Sequence, residues 1–517
     1  MAEDAISKVA RGSTLLLLGQ LGSNVIALVA FVFIARGMTR AEMGVATITN
    51  LMIMLGVIVS GAGIPTTSIR FVSEARGKGS DPRPFVGASI LSRTILALSY
   101  STILVVFAEQ LSILLFGSSF YTPLFCLAAF GAMTMGFMNT FNSILVGLDE
   151  MKGVCASYVI SSLIGQSTAV LLIMYGWGVM GYVLGRALSG LVGSFVSGTS
   201  LIRALPPPQD KKEPVLSAME TLLVFSAPVL ATNLANYVFA CFDRFALVNV
   251  ATQEELGMYS VAVKAYAVIT MIPMNIAMAL FPYYGEKYGR AELSAISGAT
   301  RTVSRYLSLL YVPVALGLSA TAEPVLIVFA GGKYAGSAPI LMVFGFFGAL
   351  TAFTPMMGYL LITYKKTKAY MAANLASVLC SLSLAPILIP RLGVLIGMSL
   401  VRGVALALLL AFYTLSTRRM ASVDCISFGK ALLGASLMAI LVYSVQSWFQ
   451  EPLLLPLYML LGAVVYGLCM RLLKAVSYAD VVFISSVFPR PLRRFALSLG
   501  GLIAHKEGME AARENSP

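Results

Sequence analysis

Long apolar stretches follow one another from one end of this chain to the other, with only short polar segments between them. Roughly 20 consecutive apolar residues in a helix cross the hydrocarbon core of a bilayer. Hydrophobic residues make up 58% of the 517 positions and charged residues only 11%, whereas soluble domains carry about 25% charged residues. The sequence therefore predicts an all-α polytopic membrane protein with about 14 transmembrane helices. The predicted spans are 14–36, 43–66, 85–108, 123–147, 154–175, 178–202, 221–246, 258–282, 303–322, 337–363, 369–389, 393–416, 428–448 and 453–472.

Residue types that carry out catalysis or bind metals are scarce. The single histidine, His505, lies in the polar C-terminal stretch, and the six cysteines form no Cys-x-x-Cys pair. The sequence contains no serine-hydrolase, zinc-protease or Walker A motif, and no loop is long enough to hold a catalytic domain. We therefore expect no enzyme activity, no catalytic or metal-binding residues and no cofactor.

The positive charges lie mostly on one side of the predicted membrane. With the N-terminus inside, 27 of the 36 Lys and Arg residues fall in cytoplasmic segments, five fall in outer segments and four lie within spans. Cytoplasmic loops of membrane proteins carry such an excess. Topology thus explains the net charge of +13, and no nucleic-acid partner is predicted. We expect a multi-pass protein of the plasma (inner) membrane with both termini in the cytoplasm.

Four short motifs recur in the same order about 213 residues further along the chain. The matching pairs are Thr39–Gly44 with Thr252–Gly257, Ser92-Arg93 with Ser304-Arg305, Phe130-Gly131 and Lys152 with Phe344-Gly345 and Lys366, and Gly181, Leu184 and Arg186 with Gly397, Leu400 and Arg402. Secondary transporters are commonly built from such repeats, with the substrate site between the halves. We predict two parallel six-helix lobes plus two C-terminal helices. The predicted segments are an N-terminal lobe 1–203, a cytoplasmic linker 204–220, a C-terminal lobe 221–417, two additional helices in 418–473 and a cytoplasmic amphipathic tail 474–517.

Four charged residues lie toward the outer ends of the first spans of each half. Arg36 ends span 1, Asp243 and Arg244 lie near the end of span 7, and Lys264 lies about two turns into span 8. Charges inside a membrane cost at least a few kcal/mol, so each one requires an explanation. If these spans line a central cleft, the four residues form a cationic cavity for an anionic head group, because Arg and Lys bind phosphate oxygens. The structural alternative is an ion pair between Asp243 and Lys264, with Arg36 as an interfacial anchor.

Amide side chains stand at matching depths on the same spans. Gln20 and Asn24 lie one helical turn apart on span 1, and Asn233 and Asn236 lie on span 7. Such amides either hydrogen-bond from helix to helix or line a wet cavity and bind sugar hydroxyls. We include all four among the predicted substrate-binding residues.

Three further arginines, Arg93, Arg186 and Arg402, are weaker candidates for substrate contact. Arg93, like Arg305 in the second half, lies near the inner surface, and extension of its side chain to the cytoplasmic interface is the favoured interpretation. Arg186 and Arg402 lie at matching depths in spans 6 and 12. Their repeat symmetry favours a packing or hinge role.

A series of motifs in spans 1, 2, 7 and 8 resembles those of polysaccharide (O-antigen-type) flippases of the multidrug/oligosaccharidyl-lipid/polysaccharide exporter superfamily. The motifs are Ala35-Arg36, Glu42-Met43-Gly44, Gly63, Arg70-Phe71-Val72-Ser73-Glu74, Asn236-Tyr237-Val238, Asp243-Arg244-Phe245, Leu256–Lys264 and Phe281-Pro282. Each motif is degenerate, so the resemblance depends on their order, and it extends over most of spans 1–12.

The resemblance implies two six-helix lobes around a hydrophilic, often cationic cavity lined by spans 1, 2, 7 and 8. It also implies a function: flipping a polyprenyl-diphosphate-linked oligosaccharide from the inner to the outer leaflet by alternating access. The implied partners are the lipid-linked oligosaccharide, membrane lipids and glycan-assembly enzymes. Of the candidate residues, Arg36, Asp243, Arg244 and Lys264 are the positions to which the family's binding role is carried over.

Three other functions remain open at this point. An ion-coupled drug/cation antiporter of the same superfamily usually has twelve spans and needs carboxylates in the membrane, for which Asp243 and Glu323 are the candidates. A major facilitator also has parallel six-helix halves, and the stretch Tyr284–Arg290 resembles its loop motif, although the loop after span 2 does not. A membrane glycosyltransferase would need catalytic acids on a large outer loop, and the sequence has none long enough.

Overall fold

The computed structural model describes residues 2–207, 214–449, 451–476 and 480. Within these ranges the chain forms eighteen α-helices and three short 3₁₀ helices, with no β-strand. The helices are α1 Ala2–Gly37, α2 Arg40–Val59, α3 Ile64–Gly77, α4 Arg83–Val106, α5 Ala108–Phe116, α6 Thr122–Gly147, α7 Met151–Met174, α8 Gly178–Ala204, α9 Val215–Val248, α10 Gln253–Gly289, α11 Leu293–Ala320, α12 Ala322–Ala330, α13 Ala338–Leu350, α14 Thr354–Thr363, α15 Thr367–Leu392, α16 Val394–Thr417, α17 Cys425–Phe449 and α18 Leu455–Leu472.

Fourteen helical segments of the described chain are long and apolar enough to cross a membrane. This confirms the predicted all-α polytopic class and the number of spans. Helices suit this environment because each one satisfies its backbone hydrogen bonds internally, where lipid offers no partners. Span 2 consists of two consecutive helices, α2 and α3, and the predicted span 10 covers the two helices α13 and α14.

The chain divides into two compact units, residues 1–260 and 261–517. In the first unit, α7 packs against α1 and α8, while α6 packs against α2, α4 and α8. In the second unit, α15 packs against α16, and α11 packs against α13 and α17. The predicted lobes 1–203 and 221–417 stay a prediction.

Span 2 differs from its prediction as one unbroken helix over 43–66. The helix α2 ends at Val59 and α3 begins at Ile64, because Ala62 and Gly63 take left-handed backbone conformations with φ of 46° and 80°. Gly63 also approaches α9 closely: a Cβ atom at this position would lie 2.5 Å from the carbonyl oxygen of Ser226. Glycine is the residue that tolerates both the left-handed angle and the close approach.

Span 10, predicted as continuous over 337–363, is also interrupted, but without left-handed residues. The helix α13 ends at Leu350, and α14 begins at Thr354 after a short turn. A proline at the second position of α14, Pro355, suits a helix start because its missing N–H has no partner there in any case.

The repeated motif at the start of spans 2 and 8 forms the same local structure twice. Thr39 and Glu42 bond to each other's backbone N–H at the beginning of α2, at 2.7 and 3.2 Å. Thr252 and Glu255 do the same at the beginning of α10, at 2.9 and 3.2 Å. Both are capping boxes, which satisfy two of the N–H groups left free at a helix start.

The predicted linker and the predicted tail are described only in part. Residues 208–213 of the predicted linker and most of the predicted amphipathic tail, 477–479 and 481–517, lie outside the described residues. Asp480 is described, and its carboxylate accepts a hydrogen bond of 2.6 Å from Arg305. Arg305 therefore pairs with a carboxylate, and its predicted extension to the cytoplasmic interface stays a prediction.

Candidate functional site

Polar side chains that do not pack inside the protein occur on α1, α9 and α10. Gln20, Asn24, Asn236 and Lys264 are exposed, and Asn233 is half-buried. A helix surface that faces lipid carries apolar side chains, since an amide or an ammonium group in hydrocarbon lacks the partners that water provides. Each of these exposed polar side chains therefore needs water or a polar partner.

The amides of α1 lie away from its contact with α7. Gly19 packs directly on Cys155, where an added Cβ atom would be 2.9 Å from the Cα atom. Ser162 donates a hydrogen bond of 3.0 Å to the carbonyl of Ser23. Gln20 and Asn24, one residue further along in each case, point away from this contact and are exposed.

On α10 the structure adds a residue that the sequence analysis missed. Asn275 is exposed and lies eleven residues after Lys264, which is almost exactly three helical turns, so both side chains share one face. The exposed Met271 and Met278 lie on the same side. Asn275 was not predicted because it lies among apolar residues and has no counterpart in the repeat. Its spacing of eleven residues from Lys264 nevertheless indicates that the two share a helix face.

Asp243, in contrast, is buried, with 2% of its surface exposed. Its Oδ2 atom accepts a hydrogen bond of 2.8 Å from the Tyr259 hydroxyl, and its Oδ1 atom accepts one of 3.0 Å from the backbone N–H of Arg244. Hydrogen bonds to both of its oxygen atoms thus fix the orientation of the carboxylate. Tyr259, also missed in the sequence, is the residue that connects α10 to this carboxylate.

Arg244 follows Asp243 on α9 and is half-buried. Its guanidinium contacts the sulfur of Cys241, one turn earlier, at 3.8 Å. The guanidinium also interacts electrostatically with Asp243, and such compensation lowers the cost of holding both charges within the membrane.

A buried tyrosine, Tyr237, and a half-buried one, Tyr100, connect α2 to its neighbours. Tyr237 of α9 donates a hydrogen bond of 2.6 Å to the carbonyl of Leu51, and Tyr100 of α4 donates one of 2.8 Å to the carbonyl of Met52. Because Tyr237 follows Asn236 directly, this bond fixes the rotation of α9 that leaves Asn236 exposed.

Arg93 does not extend to the cytoplasmic interface, and that prediction was wrong. Its side chain is completely buried, and Nη1 donates a hydrogen bond of 3.1 Å to the carbonyl of Val57 near the end of α2. A cation is favourable at this end of a helix, where the carbonyl groups point outward. The atoms Nε and Nη2 have no hydrogen-bond partner among the described residues and lie against Gly136 of α6.

The other predicted arginines are less deeply buried than Arg93. Arg186 and Arg402 are both half-buried, as their matching repeat positions suggest. In the second unit, Arg402 acts electrostatically on Tyr266, whose hydroxyl hydrogen-bonds Tyr311. Arg36 is exposed at the end of α1.

The starts of α2 and α10 cross at two glycines of the first unit. A Cβ atom on Gly44 would overlap the carbonyl oxygen of Gln253, and one on Gly257 would overlap that of Arg40. The same Cβ atoms would lie 3.2 Å and 3.0 Å from the backbone nitrogen of the opposite glycine. The contact is thus reciprocal, as expected for two copies of a repeated motif that face each other, and backbones approach this closely only at small residues.

Comparison with known proteins assigns the chain to a family. The model of the family described as "Polysaccharide biosynthesis protein" matches residues 9–288, which is more than half of the chain. The chain is a member of the polysaccharide biosynthesis protein family. This confirms the resemblance predicted from the order of the motifs in spans 1, 2, 7 and 8. The MatE family model also matches, over residues 228–387.

A curated relative of this polysaccharide biosynthesis protein is the succinoglycan biosynthesis transport protein ExoT of Rhizobium meliloti (strain 1021). The two are 23% identical over 311 residues, which is 60% of each chain. The match thus spans less than two thirds of the relative's length.

Two solved structures share the fold. The inward closed conformation of the lipid II flippase MurJ matches with a TM-score of 0.70 at 16% identity, covering 89% of this chain and 98% of that one. The inward-facing conformation of a multidrug resistance MATE family transporter matches with a TM-score of 0.58 at 16% identity, covering 77% and 95%. These matched proteins carry the names of transporters and flippases, which agrees with the prediction of a non-enzymatic protein.

Proposed function

We propose that this protein flips a polyprenyl-diphosphate-linked oligosaccharide from the inner to the outer leaflet of the plasma membrane. The family assignment and the similarity to a succinoglycan transport protein support a cargo used in polysaccharide assembly. The single observation that carries the proposal is the set of exposed polar side chains on α1, α9 and α10. A transporter of a sugar head group needs polar side chains of this kind within its membrane-spanning helices.

The chemistry of these side chains matches the two parts of the proposed cargo. Gln20, Asn24, Asn236 and Asn275 offer amide donors and acceptors, which suit sugar hydroxyls. Lys264 offers a compact positive charge, which suits a phosphate oxygen. Arg36, Arg244 and Asp243 stay predicted members of the site, with Asp243 acting through its bond to Tyr259.

The membrane potential is a sufficient driving force for this cargo if the protein's own charges stay in place. Moving one charge across the membrane is worth about 2.3 kcal/mol per 100 mV, so two phosphate charges gain roughly 4.6 kcal/mol when they move outward. No ATP-binding motif occurs in the sequence. We therefore propose transport that responds to the potential, with both termini in the cytoplasm and with glycan-assembly enzymes as suppliers of the substrate.

Replacing Lys264 with glutamine is expected to slow flipping strongly. A charge-assisted hydrogen bond contributes about 1.5–3 kcal/mol, so the initial rate should fall about 10-fold to 100-fold. The assay uses purified protein in liposomes with a fluorescent polyprenyl-diphosphate oligosaccharide in one leaflet, and follows its arrival in the other leaflet under an imposed potential.

Two control variants belong to this assay. Lys264→Arg keeps the charge and should retain most of the rate, whereas Lys474→Gln removes an exposed lysine just after α18 and should leave the rate unchanged. If Lys264→Gln flips as fast as the unmodified protein, the proposed role of this lysine is wrong.

One specific observation favours the antiporter alternative: the MatE family model matches residues 228–387. A cation antiporter needs a carboxylate that exchanges protons or sodium ions for its substrate, and Asp243 is the buried candidate on α9. The same liposomes decide between the two functions. Uptake or efflux of a soluble cation driven by sodium or protons, without transfer of any polyprenyl-diphosphate sugar, would replace the flippase with the antiporter.

A further inference from the structure

Two turns on the predicted cytoplasmic side have the same backbone structure, one in each unit. In the first turn the N–H groups of Leu148, Asp149 and Glu150 donate hydrogen bonds of 2.9, 3.0 and 2.9 Å to the carbonyls of Ile144, Val146 and Leu145. In the second, the N–H groups of Tyr364, Lys365 and Lys366 donate bonds of 3.1, 3.0 and 2.9 Å to the carbonyls of Leu360, Ile362 and Leu361. Asp149 and Lys365 both have left-handed backbones, with φ of 65° and 57°.

The charges on these equivalent turns are opposite. The first turn carries Asp149 and Glu150, with Lys152 just inside α7. Asp149 accepts a hydrogen bond of 3.3 Å from Arg76 of α3. The two carboxylates are thus balanced by Lys152 and Arg76, and the first turn has no excess charge.

The second turn carries three lysines and no carboxylate. Lys365, Lys366 and Lys368 are all exposed, and their side chains form no hydrogen bond or ion pair with the described residues. The helix α15 begins at Thr367, so its free N–H groups add further positive potential at the same place.

The neighbouring charges of the second unit are already paired. The rings of Tyr288 and Tyr364 lie 5.1 Å apart, which places the end of α10 beside the turn. There Lys287 pairs with Glu292 at 2.7 Å, and Arg290 pairs with Glu286 at 2.9 Å. The hydrogen bond from Lys287 holds the pKa of Glu292 below its ordinary value. These pairs leave the charge of the three lysines uncompensated.

Topology explains why lysine is common on this side of the membrane, but it does not explain the contrast between the two turns. The first turn lies on the same predicted side and carries acids. Moreover, a left-handed backbone favours glycine, asparagine or aspartate over lysine. Lys365 is therefore present against the local backbone preference.

We propose that Lys365, Lys366 and Lys368 form a phosphate-binding surface that captures the diphosphate group of the lipid-linked substrate before it enters the transport path. This inference rests on the proposed function and adds a loading site to it. Three lysines beside a helix start match the several oxygens of a diphosphate better than the single phosphate of an ordinary membrane lipid.

Binding to the full-length protein in nanodiscs of phosphatidylcholine tests the proposal. The probe is a fluorescent polyprenyl-diphosphate oligosaccharide. Replacing all three lysines by glutamine should weaken binding about tenfold or more, since each lysine contributes separately to the attraction of an anionic head group. A second variant, Lys365→Asp/Lys366→Glu, copies the charges of the first turn onto a backbone that aspartate tolerates, and should weaken binding at least as much.

The matched control removes three exposed arginines from the same predicted side, Arg203, Arg418 and Arg419. As glutamines they should leave the Kd of the probe unchanged. An unchanged Kd in both lysine variants would overturn the proposal. So would a loss that appears only when phosphatidylglycerol is added to the nanodiscs, because the lysines would then bind bulk anionic lipid.

Flipping assays separate this inference from the proposed function. In phosphatidylcholine liposomes the lysine variants should raise the half-saturating substrate concentration while the maximal rate stays the same. If the unmodified protein binds the probe through these lysines but never flips it, the phosphate-binding surface is supported and the flippase proposal fails.

Discussion

Replacing Gly44 with valine is expected to lower the apparent melting temperature of the purified protein by about 1–3 °C or more, because an overpacked position costs about 1–3 kcal/mol or more and a chain of this length shifts by about 1 °C per kcal/mol. The Cβ atom of the new residue would overlap the carbonyl oxygen of Gln253. Both partners are backbone groups inside helices, so neither moves aside without displacing α2 or α10. Gly257→Val should give the same result, since the contact is reciprocal.

The matched control is Gly285→Val on α10, where an added Cβ atom meets nothing within 4 Å. It should leave the melting temperature almost unchanged, because valine and glycine differ little in a helix that tertiary contacts already hold. Equal melting temperatures for Gly44→Val and Gly285→Val would show that the starts of α2 and α10 do not touch in solution.

The Gly44→Val substitution should also reduce transport. The contact joins the predicted outer ends of spans 2 and 8, so we expect Gly44→Val to reduce flipping in liposomes far more than Gly285→Val does. Measuring both variants at a temperature well below either melting transition removes the contribution of unfolding.

Replacing Gly136 with alanine is expected to be nearly as harmful, although the change is a single methyl group. That methyl would occupy the place of the Arg93 guanidinium, 2.7 Å from Nε. The arginine is completely buried, so it has no free space into which to move. We expect a stability loss of about 2–3 kcal/mol, read as a fall in melting temperature.

A double-variant cycle shows whether the loss comes from this contact. In the Gly136→Ala background the guanidinium is already displaced, so Arg93→Ala should then cost less than it costs alone. Gly131→Ala, on the same helix, is the control: its Cβ atom would lie at an ordinary 3.5 Å from Ile53. Additive effects of Gly136→Ala and Arg93→Ala would contradict the packing described for α4 and α6.

Part of the candidate site was predictable from the sequence. Lys264, Gln20 and Asn24 were chosen because polar groups inside a span are costly, and the structure leaves all three exposed on their helices. Asn275 obeyed the same rule but was missed. The rule identifies residues that need a partner or water, and it does not say which of the two they obtain.

Arg93 and Asp243 show where this reasoning ends. From the sequence, Arg93 was expected to extend to the cytoplasmic interface, but it lies buried against α2 and α6. The bond from Tyr259 to Asp243 was not predicted either, and the ion pair between Asp243 and Lys264 stays a prediction. Both outcomes depend on which side of a helix meets its neighbour, and residues far apart in sequence decide that.

The sequence by itself determined the class of the protein, the fourteen spans and the repeat. It did so because lipid is a uniform apolar solvent, so a span is specified by local length and hydropathy, and a repeat by local motifs. Only the tertiary structure decided where spans 2 and 10 break, which polar groups stay exposed, and that Gly44 meets Gly257. These features arise from close packing between helices, whose energy depends on the fit of distant side chains and is not encoded in any single stretch of the chain.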